Sequence, residues 1–211
     1  MQAGRAMQKA VIYPISRKVF DETGNNLTNW VMELALPGDT PPKQDWSKQV
    51  DKAVFAGRFA AWKWDWLDLP TLIENGDTAY EYPMCDRDPL PQWSFGRVTL
   101  LGDAAHPMYP IGSNGASQAI LDTESMVHAL AAEPDISAAL ARYEGERREA
   151  TGRIVLANRS NGPDQVMQLA EERAPQGFTH VNDVIAQEEL EAISARYKQT
   201  AGFAKAQVNA R

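Results

Sequence analysis

Two short stretches hold the residue types best suited to chemistry: Gly102-Asp103-Ala104-Ala105-His106 and, after Pro110, Gly112-Ser113-Asn114-Gly115 with Ala116 behind it. An ionised carboxylate at a strand end accepts hydrogen bonds from hydroxyl groups, at roughly 1.5–3 kcal/mol each. Ala104 and Ala105 are small, so a ligand can lie close to the backbone. Gly112 and Gly115 permit positive φ and close approach. A helix beginning at Gly115, with Ser113 or Asn114 as its cap, leaves its first N–H groups facing outward. Such amides favour an electron-rich or anionic group. The pattern therefore suits sugar-type hydroxyls at Asp103 and an electron-rich group at the helix start. No side chain here is a strong acid–base candidate, and no catalytic residue is assigned. His106 reads as a loop-holding residue, His128 and His180 as structural or surface residues. Pro110 either stiffens the loop or lies against a ligand held there.

Other chemistries fit less well. Ser113 lacks the nucleophile elbow, because Ile111 stands where its first glycine belongs. Asp103 and His106 have no third and fourth ligand nearby in sequence, so no metal site is expected.

The elements that must position these residues are legible in outline. Arg97 to Leu101 reads as a strand feeding the acidic loop, and Gly115 to Ala132 as the helix leaving it. Upstream, Lys9–Ile15 and Leu27–Leu36 read as strands of a hairpin, with turn residues from Asp21 to Asn26. Pro37 to Pro42 reads as a loop. A short helix is expected near 46–58, another over Trp64–Asn75, a strand over Thr78–Met84 and an irregular linker over Asp86–Pro91. Trp62-Lys63-Trp64-Asp65-Trp66 reads as packing in a helix-rich corner rather than a ligand pocket. Tyr13, Trp30 and Met32 lie on expected strands, where some can face a ligand. Downstream, Asp135 caps a helix whose inward stripe is Ile136, Leu140, Tyr143, Ala150, Ile154 and Ala157. Gly162-Pro163 ends it, Pro163 opens a further helix, and Asp183–Thr200 forms the last.

With 211 residues and 44% apolar composition, one or two domains are expected. The net charge of −7 speaks against a nucleic-acid partner. Arg142, Arg147, Arg148 and Arg153 are interleaved with glutamates and read as a solvated helix face, with Glu144–Arg148 and Glu149–Arg153 as i,i+4 pairs. One cysteine, Cys85, allows no internal disulfide and fits a reducing cytoplasm. No apolar run reaches bilayer-spanning length, so no membrane association is expected.

Gly102-Asp103-Ala104-Ala105-His106-Pro107 with Pro110, Gly112, Asn114 and Gly115 resembles the second FAD-binding motif of single-component flavin-dependent aromatic hydroxylases. The resemblance is greatest to the salicylate and phenazine hydroxylase branch. Pro83-Met84-Cys85-Asp86-Arg87-Asp88-Pro89-Leu90, Tyr143-Glu144 and Arg147-Arg148 agree with it. It implies an α+β chain: a substrate-side β-sheet (1–95), the second FAD motif (96–132) and a C-terminal helical region (133–211), within a larger FAD/NAD(P)-binding α/β fold. It implies FAD contacts from Gly102, Asp103, Pro110, Gly112, Ser113, Asn114, Gly115 and Ala116. It further implies NAD(P)H-driven hydroxylation of an aromatic substrate with dioxygen, through a flavin C4a-hydroperoxide. A helix N-terminus beside the reduced ring would stabilise its charge by ~0.3–2 kcal/mol, or tens of millivolts at ~30 mV per 1.4 kcal/mol. None of the 14 glycines stands two positions from another, so G-x-G-x-x-G is absent, and no Asp precedes a Gly. The chain is therefore expected to be a C-terminal part whose N-terminal FAD-binding portion is missing. The alternative is a non-catalytic remnant or interaction module that keeps the fold without FAD.

Overall fold

The computed structural model describes residues 1–5, 8–35 and 45–209. The architecture is α+β, in two compact units: Met1–Pro37 with Asp86–Arg211, and Gly38–Cys85. The segment 1–95 thus runs through both.

The first unit opens with strands β1 (Gln2–Arg5), β2 (Gln8–Pro14) and β3 (Thr28–Leu34), forming an antiparallel sheet in that order. The hairpin of β2 and β3 is as expected, but its connection is helix α1 (Arg17–Thr23). The Ser16 hydroxyl accepts from Val19 N–H at 3.2 Å, and Gly24, at φ 72°, ends the helix. Alternation sends Ala10 and Ile12 to one buried face. Lys9, on the other, is buried too, pairing with Glu33 across the strands (3.1 Å) and with Asp164 (2.7 Å). Burial alone would lower its pKa, but these two carboxylates outweigh that and hold it above 10.5. Leu36 and the expected loop 37–42 lie outside the described residues.

The second unit holds β4 (Gln49–Val50) paired with β7 (Ala79–Tyr80), and α2 (Ala53–Ala56) running into a 3-10 turn at Gly57–Phe59. Between them lie β5 (Lys63–Trp64), β6 (Leu67–Asp68) and α3 (Leu69–Glu74). The helix expected over Trp64–Asn75 is thus a hairpin followed by a shorter helix. The Asp68 side chain accepts from Thr71 N–H at 2.9 Å and Pro70 stands in the first turn, which fixes the helix start at Leu69. Trp64 and Trp66 stack at 5.2 Å on the hairpin. The strands expected over 78–84 and 97–101 shrink to two residues each, Ala79–Tyr80 and Val98–Thr99. Among the described residues the latter, β9, pairs only with β8 (Ser94–Phe95), across Gly96 at φ 63°.

The first unit continues as helices: α4 (Gly115–Ala132), α5 (Ile136–Arg159), α6 (Gln165–Arg173), α7 (Gln187–Thr200) and α8 (Lys205–Val208). The Asp135 side chain caps α5, accepting from Ala138 N–H at 2.8 Å. Leu140, Tyr143 and Ile154 of the expected stripe are buried, whereas Ile136 is exposed. Instead of one helix over 183–200, a 3-10 turn at Val181–Asp183 precedes α7. The core joins Trp93, Ala105, Ala129, Ala139 and Tyr143. Trp93 and Tyr143 are almost wholly enclosed, and truncating an aromatic side chain in such a place costs ~3–5 kcal/mol. This core clamps the loop at 102–106 between β9 and the α4–α5 pair.

Candidate functional site

After β9 the chain makes a 3-10 turn at Gly102–Ala104, with Gly102 at φ 59°. A Cβ on Gly102 would meet the Ala119 methyl at 3.3 Å, so glycine here lets the turn lie against α4. Asp103 and Ala104 point to solvent, whereas Ala105 and His106 turn into the core. Beneath the turn sits Asp122 of α4, with no exposed surface. Its carboxylate accepts from Gly102 N–H (3.1 Å), His106 Nε2 (2.6 Å) and Arg147 Nε (2.7 Å). Arg147 also donates to Gln118 Oε1 at 2.7 Å, and Gln118 Nε2 to the Ala201 carbonyl at 3.0 Å. Burial would raise the Asp122 pKa, but the bonds from His106 and Arg147 outweigh it and hold the carboxyl below the ordinary value. With Asp122 ionised, the hydrogen-bond pattern assigns the imidazole proton to Nε2. The loop is thus fastened from behind by a buried ion cluster while Asp103 stays exposed at its surface.

The second stretch forms a 3-10 turn at Ile111–Ser113. Positive φ occurs at Gly112 (75°) and Ser113 (53°), whereas Gly115 begins α4 in helical conformation. The freedom that glycine allows is thus used at Gly112, and Gly115 starts α4 as expected. The expected cap is corrected: neither Ser113 nor Asn114 caps α4 through a side chain. The Asn114 side chain is buried and donates to the Tyr197 hydroxyl at 2.7 Å. A Cβ on Gly115 would lie 3.9 Å from Asp103 Oδ1, its one contact within 4 Å apart from its chain neighbours and the backbone of its own helix. The carboxylate of the first loop therefore stands beside the open start of α4, and the two stretches form one site.

Helix α5 holds the chain that enters this site. Its Gly152 leaves room for Pro89, whose Cβ is 3.3 Å from where a side chain would begin. Arg148 donates to the Pro91 carbonyl at 2.6 Å, and Arg159 pairs with Asp86 (2.6 Å) and Asp88 (2.7 Å). The irregular linker 86–91 is thus a fastened strap. The pairs Glu144–Arg148 and Glu149–Arg153 form as expected, but Arg147 is not on a solvated face: its partner is Asp122, 25 residues away.

Residues 85–158 match the FAD binding domain family. Over 152 residues the chain is 46% identical to phenazine 1,6-dicarboxylic acid hydroxylase PhzS of Lysobacter antibioticus, covering 72% of this chain and 37% of that protein. It is 46% identical over 84 residues to 3-hydroxybenzoate 6-hydroxylase 1 of Aquipseudomonas alcaligenes, covering 40% of this chain and 21% of that protein. The chain is a relative of the FAD-dependent aromatic hydroxylases. It spans about a third or less of these curated relatives' length. Among solved structures, a salicylate hydroxylase substrate complex superposes with TM-score 0.59 at 23% identity, over 93% of this chain and 47% of that one. Klebsiella pneumoniae HpxO, complexed with FAD and uric acid, superposes with TM-score 0.54 at 17% identity, over 95% of this chain and 43% of that one. At such identities the likeness is one of fold, and it places the chain in the α+β architecture of these hydroxylases.

Within that hydroxylase architecture, Gly102, Asp103, Gly112, Ser113, Asn114, Gly115 and Ala116 converge at the turn and helix start. Pro110 is exposed immediately before them. Sequence reasoning missed Asp122, Arg147, Asn158 and Tyr197, whose partners lie far along the chain. A cavity of about 490 Å³ lined by Gln118, Arg147, Arg153 and Gln207, among others, includes none of residues 102–116. Among the described residues, no group of three or more His, Cys, Asp or Glu is placed to hold a metal, and no helix is long and apolar enough to cross a membrane.

Proposed function

We propose that this chain supplies the ribityl and isoalloxazine side of the FAD site in an enzyme that hydroxylates an electron-rich aromatic ring. The observation that carries the reading is the pairing of the exposed Asp103 carboxylate with the open start of α4 at Gly115. Asp103 accepts from the ribityl hydroxyls. The N–H groups of the first turn, around Gly115 and Ala116, meet the pyrimidine edge, and Gly102, Gly112, Ser113 and Asn114 shape the backbone behind them. Pro110 stands at the exposed rim. The residues present fit the cofactor: a polyol acceptor, outward amides, and no Cβ at Gly115 to fill the gap. Bound FAD supplies the redox chemistry, with NAD(P)H as electron donor and dioxygen as oxygen source. The chain's own residues bind and orient it.

A pyrophosphate cradle has no counterpart in the sequence. We propose that a further FAD-binding portion supplies it and covers the apolar stripe that α4 presents to solvent at Ile120, Val127 and Leu130. The names of the relatives, which act on a phenazine dicarboxylic acid and a hydroxybenzoate, support an aromatic carboxylic acid as the substrate class. Cys85 as the one cysteine supports a cytoplasmic setting.

The test is a titration of this chain with riboflavin, FMN and FAD. If only the flavin half is recognised, all three bind weakly and within about threefold of one another. Asp103→Ala then weakens each by about 10- to 150-fold, the equivalent of one charge-assisted bond. An FAD affinity far above that of riboflavin, or no effect of Asp103→Ala, overturns the assignment.

A further inference from the structure

The loop before α4 holds two consecutive residues at positive φ, one of them Ser113. A non-glycine residue there costs ~1–2 kcal/mol, so the surroundings must enforce it. What encloses the loop is Tyr197, from α7. Its ring fills the space a side chain at Gly112 would need, with Cε1 and Cζ 2.6 Å from that Cβ position. A Cβ on Gly162 would be 2.9 Å from the same ring. Two glycines thus clear room for one tyrosine. Its hydroxyl accepts from Asn114 Nδ2 at 2.7 Å and shares its own proton between Asn158 Oδ1 (2.7 Å) and the Ile111 carbonyl (3.1 Å). Asn158 Nδ2 donates in turn to the Tyr109 carbonyl at 3.0 Å. The inward-facing polar groups of residues 109–114 are therefore taken up by α5 and α7.

The consequence concerns helix capping. Asn114 is the residue before α4, and asparagine there ordinarily turns its side chain back onto the first-turn N–H groups. Here it makes no such bond: its backbone lies in the helical region (φ −99°, ψ −16°) rather than the extended one a cap prefers, and its side chain donates to Tyr197. We propose that Tyr197 is a positioning residue for the flavin site: it holds Asn114 off the helix start and so keeps the amides of Gly115–Ser117 available to the cofactor. The role in flavin binding rests on the FAD reading above; the restraint on Asn114 does not.

Amide hydrogen exchange on this chain separates the two. In Tyr197→Phe, which keeps the ring and removes the hydroxyl, Asn114 swings back to cap α4. Exchange at Gly115–Ser117 then slows about fivefold, the worth of a typical cap, and riboflavin binding weakens. In the double variant Tyr197→Phe/Asn114→Ala the cap is gone and exchange returns towards the parent value, an outcome that a general loss of packing would not produce. Asn114→Ala alone leaves exchange at Gly115–Ser117 unchanged, because Asn114 does not cap in the parent; this reading holds even if Tyr197→Phe folds poorly. Unchanged exchange in a folded Tyr197→Phe, or faster exchange in Asn114→Ala, overturns the proposal. If neither parent nor variant binds riboflavin but the exchange pattern appears, the FAD reading fails and the restraint on Asn114 stands.

Discussion

Asp122→Asn keeps the shape of a side chain that has no exposed surface and removes the charge on which three donors converge. The donors are Gly102 N–H at 3.1 Å, His106 Nε2 at 2.6 Å and Arg147 Nε at 2.7 Å. An asparagine can satisfy at most part of this set, since one of its two polar atoms is itself a donor. Arg147 is then left as a nearly buried cation without its anion, and removing one partner of such a pair costs ~3–5 kcal/mol. For a chain of this size each kcal/mol moves Tm by ~2–4 °C, so Tm should fall by ~6–20 °C. Circular dichroism during heating measures it. Adding Arg147→Met removes the orphaned cation and should recover part of the loss, because the damage lies in the unpaired charge. The pH dependence has a definite sign. The folded Asp122 pKa is held below the ordinary 3.8. Its stabilisation is therefore complete above about pH 4 and is lost as pH falls through the depressed value. The gap between parent and variant should be widest near neutral pH and close in acid. A Tm change under about 2 °C, or a gap that grows in acid, would refute the reasoning.

Lys9→Met leaves Glu33 and Asp164 facing each other without their shared cation, and should cost ~3–5 kcal/mol by urea unfolding. The Lys9 pKa is raised above 10.5, so its contribution is present below that pH and fades as pH rises through the folded value; a midpoint equal to the parent's at neutral pH would count against the pair. Gly152→Val pushes a branched side chain into Pro89 and should lower stability by ~1–3 kcal/mol. A variant as stable as the parent would mean that the 86–91 strap is not seated on α5.

The local grammar was legible where the physics is local. The ends of α4, the Asp135 cap, the break at Gly162-Pro163 and the two surface pairs Glu144–Arg148 and Glu149–Arg153 depend on partners within a few residues. The misreadings share the opposite cause. The helix expected over Trp64–Asn75 gives way at its start to a hairpin on which the Trp64 and Trp66 indoles stack, and the Asp68 cap delays the helix to Leu69. Arg147 looked like its exposed neighbours until α5 packed on α4 and brought Asp122 to it. Asn114 looked like a cap until Tyr197, 83 residues on, claimed its side chain.

Residue order alone determined that Asp103 precedes a small-residue turn and that a helix starts at Gly115, because strand ends, glycine turns and helix periods are short-range properties. Only the folded chain decided which polar groups turn inward to be consumed and which stay outward for a ligand. That division depends on what α5 and α7 place behind the loop, and burying a polar group demands a partner that no neighbouring residue can supply.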